Sequence, residues 1–200
     1  MWLEIIFGLV GILLFLFLFW KKLKEDYESE IIFTSAFYIL FGIAGGLLIS
    51  VRFFPTWWFW FVFLGSAVAL LISATKFKLR ILEVLEAGVV AGLLSFGLTM
   101  FVDYIQNPTL FSGIGTLIVL VLFISFFFID KHYKSFRWYK SGRVGFSGLT
   151  ILAVFFLIRS TVAVAFPNML SFVGEIDTIL SGIVSFACFL VIFSLAKNSV

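Results

Sequence analysis

The sequence has little charge, and this scarcity limits where the chain can fold. Only 12% of its 200 residues are charged, whereas 62% are hydrophobic and 20% are aromatic. A soluble domain has about 25% charged residues, so this chain has too little polar surface to cover itself in water. At about 20 residues per crossing, its length allows at most about nine membrane spans. The composition therefore predicts a single transmembrane domain, residues 1–200.

Cysteine and histidine are also scarce, since each occurs once, as Cys188 and His132. A single cysteine excludes a disulfide within the chain. His132 is the only histidine that could serve a metal site or a Ser–His–Asp triad, and its neighbours give no ligand spacing. We therefore expect His132 to be a solvated loop residue, and we expect no metal and no cofactor.

The three prolines, Pro55, Pro108 and Pro167, all lie between apolar runs rather than inside them. Proline lacks a backbone donor and clashes with the preceding helical turn, so these positions suit the ends of helices. The pattern predicts an all-α fold with seven transmembrane helices. Their expected spans are about 2–20, 31–54, 56–75, 81–102, 109–130, 144–166 and 176–196.

Twelve of the 14 lysine and arginine residues lie in alternate segments: three in 21–30, three in 76–80, five in 131–143 and one at 197. Positive charge accumulates on the cytoplasmic side of a membrane, so these segments should share that side. The first apolar run has no positive residues before it, which is typical of a retained helix rather than a signal peptide. We predict a multi-pass membrane protein with the N-terminus outside and the C-terminus cytoplasmic.

The basic stretch 131–143 is interleaved with aromatic residues, a pattern also found in nucleic-acid-binding proteins. It could instead attract anionic lipid headgroups. An ordinary cytoplasmic loop that obeys the insertion rule accounts for it more simply. We therefore expect membrane phospholipids, and no nucleic acid, among the partners.

Arg159 is the ionisable residue that most needs an explanation. It lies seven residues before the expected end of the sixth span, which is roughly 10 Å below the outer surface. A charged side chain at membrane depth is costly and is a functional candidate, and a guanidinium suits a lipid phosphate. The structural alternative is that Arg159 snorkels outward or pairs with Asp103 or Glu4.

Glu83 and Glu86 are three residues apart, on one face of the fourth span near its start. Carboxylates there are stabilised by the positive end of the helix dipole and could pair with Lys78 or Arg80. The alternative is a paired-carboxylate site for acid–base chemistry.

Several segments resemble prolipoprotein diacylglyceryl transferases, which are also seven-span proteins with the N-terminus outside. The family's F-H-G-G-L stretch is similar to residues 63–67, its L-E-V-x-D-A helix start to 82–87, and its R-x-G-N-F-x-N-G signature, followed by P-T, to 100–109. A later family segment, P-G-Q-x-F with an arginine fourteen residues after its glycine, fits Gly145 and Arg159. The resemblance covers most of the chain.

The resemblance implies transfer of a diacylglyceryl group from phosphatidylglycerol to the cysteine of a prolipoprotein, whose signal peptide would be a partner. It also implies a location in a bacterial cytoplasmic (inner) membrane. Arg159 then corresponds to the arginine that handles the lipid phosphate, with Asp103 and Tyr104 as candidate partners in the site. The chain departs from the family at Leu64, Met100 and Ala163, where the family has histidine, arginine and glutamate. Either other groups replace these residues, or the chain keeps the scaffold without the reaction.

We therefore predict a divergent diacylglyceryl transferase-like protein that binds phospholipid. One alternative is a non-catalytic lipid-binding or assembly protein on the same scaffold. The other is a small transporter, which requires a polar path from Asp103 and Arg159 to Glu83 and Glu86.

Overall fold

The computed structural model describes residues 2–135, 144–165 and 173–197. In these ranges the regular structure is helical, with seven long helices and two single-turn 3-10 helices, Pro55–Trp57 and Tyr133–Ser135. The long helices are α1 Trp2–Leu23, α2 Ser29–Phe53, α3 Trp58–Lys76, α4 Ile81–Gln106, α5 Leu110–His132, α6 Phe146–Ala165 and α7 Ile176–Lys197.

All seven helices contain a segment of 19 to 26 residues that is long and apolar enough to cross a membrane. The seven predicted helices are thus confirmed, and most helix ends lie within two or three residues of the predicted boundaries. The largest difference is in α4, which continues four residues beyond the expected end at 102. Asp103 and Tyr104 therefore lie on a helix rather than in the predicted connecting segment.

Two of the prolines lie in the connections between helices, as the sequence predicts. Pro55 is the first residue of the 3-10 turn between α2 and α3. Pro108 precedes Thr109, whose side chain caps α5 by accepting a hydrogen bond from the backbone N–H of Ser112 at 3.2 Å. This cap satisfies one of the free N–H groups at the start of the helix.

The helices differ in how deeply they lie in the bundle. In α4 and in α6, 39% of the residues of the most apolar stretch are buried inside the bundle. In α1 the buried share is only 11%. Many large apolar side chains point outward from the bundle. Such an exposed apolar surface suits lipid, because a protein in a bilayer does not have to cover its apolar faces.

α2 and α3 pack most closely, through facing glycines. A Cβ atom added to Gly42 would lie 2.3 Å from the carbonyl oxygen of Gly65, and one added to Gly46 would lie 2.2 Å from that of Phe61. Small residues allow two transmembrane helices to bring their backbones together, which replaces the hydrophobic driving force that is missing in lipid.

The bundle has two ends, which we name from their residues. The basic end is where α1 and α5 finish and where α4 and α6 begin, as the contacts among Lys22, Glu86, Asp130 and Gly145 establish. The opposite end is where α6 finishes and where α3 and α7 begin.

Candidate functional site

Arg159 lies on α6 in the half of the bundle nearest the opposite end, and its guanidinium pairs with Asp177 in the first turn of α7. The Nη2 and Nε atoms lie 2.9 and 3.0 Å from Asp177 Oδ1. The two side chains are only 4% and 0% exposed. A charge pair this deep in a bundle neutralises the arginine inside the protein.

The Asp177 carboxylate collects further donors from three parts of the chain. Trp60 Nε1 donates to Oδ1 at 3.2 Å, the Ser181 hydroxyl donates at 3.4 Å, and the backbone N–H of Val173 donates to Oδ2 at 2.6 Å. On the other side, the Arg159 guanidinium carbon lies 3.7 Å from the ring centroid of Phe59, a cation–π contact. We call Arg159, Asp177, Trp60, Phe59 and Ser181 the buried ion-pair cluster.

This geometry identifies a partner that sequence reasoning missed. The expected alternatives were Asp103 and Glu4, and the side chain of Glu4 lies outside the part of the chain whose side chains are described. A usable signal was present, because Asp177 begins the seventh span at the same end of the bundle as Arg159. The role of Arg159 in binding lipid phosphate stays a prediction, and a phosphate there would have to share the guanidinium with Asp177.

Asp103 lines a groove between α1, α2 and α4 with a volume of about 380 Å³. Its walls are mostly apolar. Four polar residues follow one another along the same face of α4, since they are spaced three or four positions apart. They are Ser95, Thr99, Asp103 and Gln106. We call this space the outer groove, because it reaches toward the opposite end, which is predicted to be the outer one.

The polar residues of the outer groove differ in how they are satisfied. The hydroxyls of Ser95 and Thr99 donate to carbonyls of their own helix, at 3.0 Å to Ala91 and 2.7 Å to Phe96. Within the described part of the chain, the side chain of Asp103 has no hydrogen bond or ion pair. An unpaired carboxylate that lines a groove can accept hydrogen bonds from a ligand.

Tyr104 points to a different side of α4. Its ring lies against α5, where a Cβ atom added to Gly113 would be 3.2 Å from it. The three predicted site residues therefore make their described contacts in three places: Arg159 with α3 and α7, Asp103 in the outer groove and Tyr104 against α5.

The positions that depart from the transferase pattern carry apolar side chains in unlike surroundings. Leu64 is 56% exposed on the surface of α3, and Ala163 is buried within the bundle. Met100 packs toward α5, with its sulfur 3.8 Å from the place of a Cβ on Gly115. None of these side chains can act as a base or stabilise an anion.

At the basic end, Lys22 bridges two carboxylates from different helices. Its Nζ atom lies 2.8 Å from Glu86 Oε1 on α4 and 2.6 Å from Asp130 Oδ1 on α5. The other oxygen of Glu86 accepts a 2.6 Å hydrogen bond from the backbone N–H of Gly145, which begins the approach to α6. We call Lys22, Glu86 and Asp130 the lysine-bridged cluster. It joins the ends of α1, α4 and α5, and Gly145 connects it to the start of α6.

Glu83 occupies an adjoining but separate network. Its two oxygens accept hydrogen bonds from Arg80 Nη1 at 2.9 Å and from the Tyr27 hydroxyl at 2.6 Å. The predicted pairing with Arg80 is confirmed, whereas Glu86 pairs with Lys22 and not with the nearby basic residues of its own segment. Burial and the hydrogen bond to Glu83 raise the pKa of Tyr27, and the same carboxylate raises the pKa of Arg80.

Apolar side chains separate the two charged clusters. Gly148 of α6 lies against Glu86, since an added Cβ would be 2.8 Å from the Cα atom of Glu86. Arg159 follows Gly148 by eleven residues, about 16 Å of helix. The buried residues between the clusters are mainly apolar: Val90, Leu93, Phe126, Ile151, Ala153 and Phe156. This arrangement does not favour the transporter alternative, which needs a continuous polar path.

In the described ranges 2–135, 144–165 and 173–197, no three His, Cys, Asp or Glu side chains are grouped closely enough to hold a metal ion. His132 is exposed, and its Nδ1 atom lies 2.9 Å from the carbonyl oxygen of Phe128 one turn earlier. Cys188 is a buried free thiol on α7.

The fold and its charged clusters define the class of the molecule, an all-α protein with seven helices suited to a multi-pass membrane position. Compared with protein-family models, curated proteins and solved structures, the chain matches none of them. The resemblance to diacylglyceryl transferases therefore rests on the sequence segments alone and stays a prediction.

Proposed function

We propose that the protein binds a membrane phospholipid in the outer groove, with an acyl chain along the apolar walls and the headgroup at Asp103. The observation that carries this proposal is the combination of an apolar groove and a polar stripe on one face of α4. Polar side chains at membrane depth are expensive, so a stripe of them that faces a groove points to a ligand with both apolar and polar parts.

The headgroup chemistry follows from the groups at the polar end. A carboxylate accepts hydrogen bonds and repels negative charge, while the Gln106 amide both donates and accepts. A headgroup that ends in glycerol hydroxyls supplies donors to Asp103 and acceptors to Gln106. Phosphatidylglycerol has this headgroup and is also the lipid that the sequence resemblance implies.

The proposal extends to a reaction only through that resemblance. A diacylglyceryl transferase-like protein would act on the signal peptide of a prolipoprotein at a bacterial inner membrane. The apolar residues at Leu64 and Met100 favour a second candidate, a lipid-binding or assembly protein that does not carry out the transfer. In our proposal, the Asp177 pairing gives Arg159 a role in holding α6 and α7 together, and its contact with lipid phosphate is a further prediction.

Filling the groove tests the binding site directly. Gly8 lines the groove and has no atom within 4 Å of an added Cβ, so Gly8→Leu should fold and should occupy the space of the acyl chain. The matched control is Gly45→Leu, which adds the same side chain at a glycine that is equally open but lies outside the groove. Native mass spectrometry of the purified protein with phosphatidylglycerol should find less bound lipid in Gly8→Leu only.

The headgroup contact has its own variant. Asp103→Asn keeps the shape of the side chain but removes its charge, whereas Glu28→Gln makes a similar change on an exposed residue. We expect Asp103→Asn to reduce the preference for phosphatidylglycerol over phosphatidylcholine by about three- to tenfold, the net effect of about one hydrogen bond. Equal lipid retention by all four variants and the unaltered protein would refute the outer groove as the site.

The transfer reaction is tested in a bacterial strain depleted of its own diacylglyceryl transferase. Growth and lipid labelling of a prolipoprotein, supported by this chain, would establish the reaction. If the chain is produced in the membrane, retains lipid and gives neither result, the transfer is excluded and the non-catalytic candidate stands.

A further inference from the structure

A second cavity, independent of the outer groove, lies at the basic end between α1, α4 and α5. Its volume is about 460 Å³. It lies beside the lysine-bridged cluster, and Tyr133 and Val144 also line it. We call it the basic-end cavity, and the proposed function assigns it no role.

The lining of this cavity carries charges of both signs. Three lysines and five carboxylates contribute to it: Lys21, Lys22, Lys134, Glu25, Asp26, Glu83, Glu86 and Asp130. Of these, four are engaged in the contacts described above: Lys22, Glu83, Glu86 and Asp130. The remaining groups, Lys21, Lys134, Glu25 and Asp26, are exposed and border the cavity with two charges of each sign.

Asp130 adds an acceptor between these groups and the core. Its Oδ1 atom receives Lys22, and its side chain is 27% exposed. Its carboxylate also lies beside that of Glu86. An ammonium group in the cavity would therefore meet the partly exposed carboxylate of Asp130 next to the lysine-bridged cluster.

The opposite wall of the cavity is apolar. Leu18, Val90, Phe126 and Phe127 line it on the side toward the middle of the bundle. Phe127 is also partly exposed on the outer surface of α5. A ligand that lies here thus meets charges at one end and an apolar, lipid-facing surface at the other.

We propose that the basic-end cavity binds the headgroup of a phospholipid that has both a phosphate and a primary ammonium group, as phosphatidylethanolamine does. The ammonium contacts Asp130, Glu25 and Asp26, the phosphate contacts Lys21 and Lys134, and the acyl chains leave past Phe127. Three N–H donors match the carboxylates, which a quaternary ammonium group cannot do. An anionic headgroup without an ammonium would face more carboxylates than lysines.

The test uses the complete chain in lipid nanodiscs that contain equal amounts of phosphatidylethanolamine, phosphatidylcholine and phosphatidylglycerol. A photoreactive phosphatidylethanolamine is crosslinked, and the labelled peptides are identified by mass spectrometry. We expect labelling at the end of α1 and the end of α5, with competition by unlabelled phosphatidylethanolamine but not by phosphatidylcholine. Labelling spread evenly over the lipid-facing helices, or equal competition by all three lipids, would overturn the proposal.

The matched variants separate the cavity from its surroundings. Glu25→Gln with Asp26→Asn removes two exposed carboxylates that border the cavity, and Glu28→Gln with Glu30→Gln removes two exposed carboxylates just beyond it. Both pairs change the net charge of the same segment equally. The first pair should lower labelling about two- to tenfold, as expected for two partly exposed ion contacts, and the second should leave it unchanged.

Two further arms identify the source of the headgroup and keep the test independent of the outer groove. Soluble glycerophosphoethanolamine should compete poorly because it cannot use the apolar wall, and full competition by it would contradict a lipid ligand. Asp103→Asn should leave the labelling intact, so a loss of lipid from the outer groove and a loss from the basic-end cavity are distinguishable.

Discussion

Each of the two charged clusters neutralises a cation between helices, but the two do so with different partners. The buried ion-pair cluster sets one cation, Arg159, against one anion, Asp177, and closes the site with aromatic rings and hydrogen-bond donors. The lysine-bridged cluster sets one cation, Lys22, against two anions, Glu86 and Asp130, beside a cavity.

The two clusters differ in the balance of their opposite charges and in the exposure of their side chains. The Arg159 pair is neutral and almost fully buried, so its partners are fixed and there is little room for a ligand. The lysine-bridged cluster has two carboxylates for one lysine, and its lysine and aspartate are about a quarter exposed. A balanced, dry cluster holds helices together, whereas an unbalanced cluster with access can also receive a counter-charge from outside.

The largest expected effect comes from breaking the buried pair. Asp177→Ala leaves a guanidinium inside the bundle without this carboxylate and should lower the free energy of unfolding by about 3–5 kcal/mol. The double change Arg159→Met with Asp177→Leu removes both charges and should regain much of that loss. Unfolding in mixed detergent micelles measures both, and an equal loss in the single and double variants would contradict a structural ion pair.

The next largest effect concerns two glycines with positive φ angles, one at each end of the bundle. Gly145, at the basic end, has φ +105°, and an added Cβ would lie 2.8 Å from that of Leu82. Gly145→Ala combines a strained backbone with a steric clash and should cost about 2–4 kcal/mol. Gly174, near the opposite end, has φ +64° and open space around it, so Gly174→Ala should cost about 1–2 kcal/mol.

Salt should distinguish the clusters more finely. Lys22→Met removes the ammonium from two carboxylates and should cost about 1–3 kcal/mol at low salt, less than a fully buried pair because the lysine is partly exposed. The loss should shrink as salt rises, since exposed charges are screened. The loss in Asp177→Ala should stay constant, and a similar salt dependence in both variants would remove the distinction we draw.

The smallest effect concerns the network beside the lysine-bridged cluster. Tyr27→Phe removes one hydrogen bond to Glu83 and should cost about 0.5–1.5 kcal/mol. Burial and this hydrogen bond raise the pKa of Tyr27, so folding favours the protonated phenol. Its contribution should be complete below the ordinary tyrosine pKa, about 10, and disappear as the pH rises through the raised pKa. Unfolding between pH 8 and pH 11 should reveal this loss in the unaltered chain but not in Tyr27→Phe.

The architecture could be predicted because its signals are local. Apolar run length, the placement of the prolines and the grouping of lysines and arginines each depend on neighbouring residues alone. The same reasoning singled out Arg159 as a charge within an apolar run, and it named Arg80, three residues before Glu83, as one of the basic residues that could pair with Glu83 or Glu86. α4 was predicted too short because Asp103 and Gln106 read as loop residues, although they line a groove from a helix.

The partners across the bundle could not be predicted, because they depend on which helices adjoin and how each is rotated. Lys22 is separated from Glu86 and Asp130 by 64 and 108 positions, and nothing local connects them. Helix rotation also turns Asp103 toward the outer groove and its neighbour Tyr104 toward α5. Leu64, which the family pattern associates with catalysis, faces away from the bundle.

The Arg159–Asp177 pair also has a consequence for the order of synthesis. The ribosome makes Asp177 eighteen residues after Arg159, which takes about one to four seconds at ordinary rates. During that interval, α6 exists without the carboxylate that later neutralises its arginine. The charge of α6 is therefore neutralised only when α7 is present. A chain that stops before α7 should keep an unpaired arginine in α6 and should be removed by quality-control proteases.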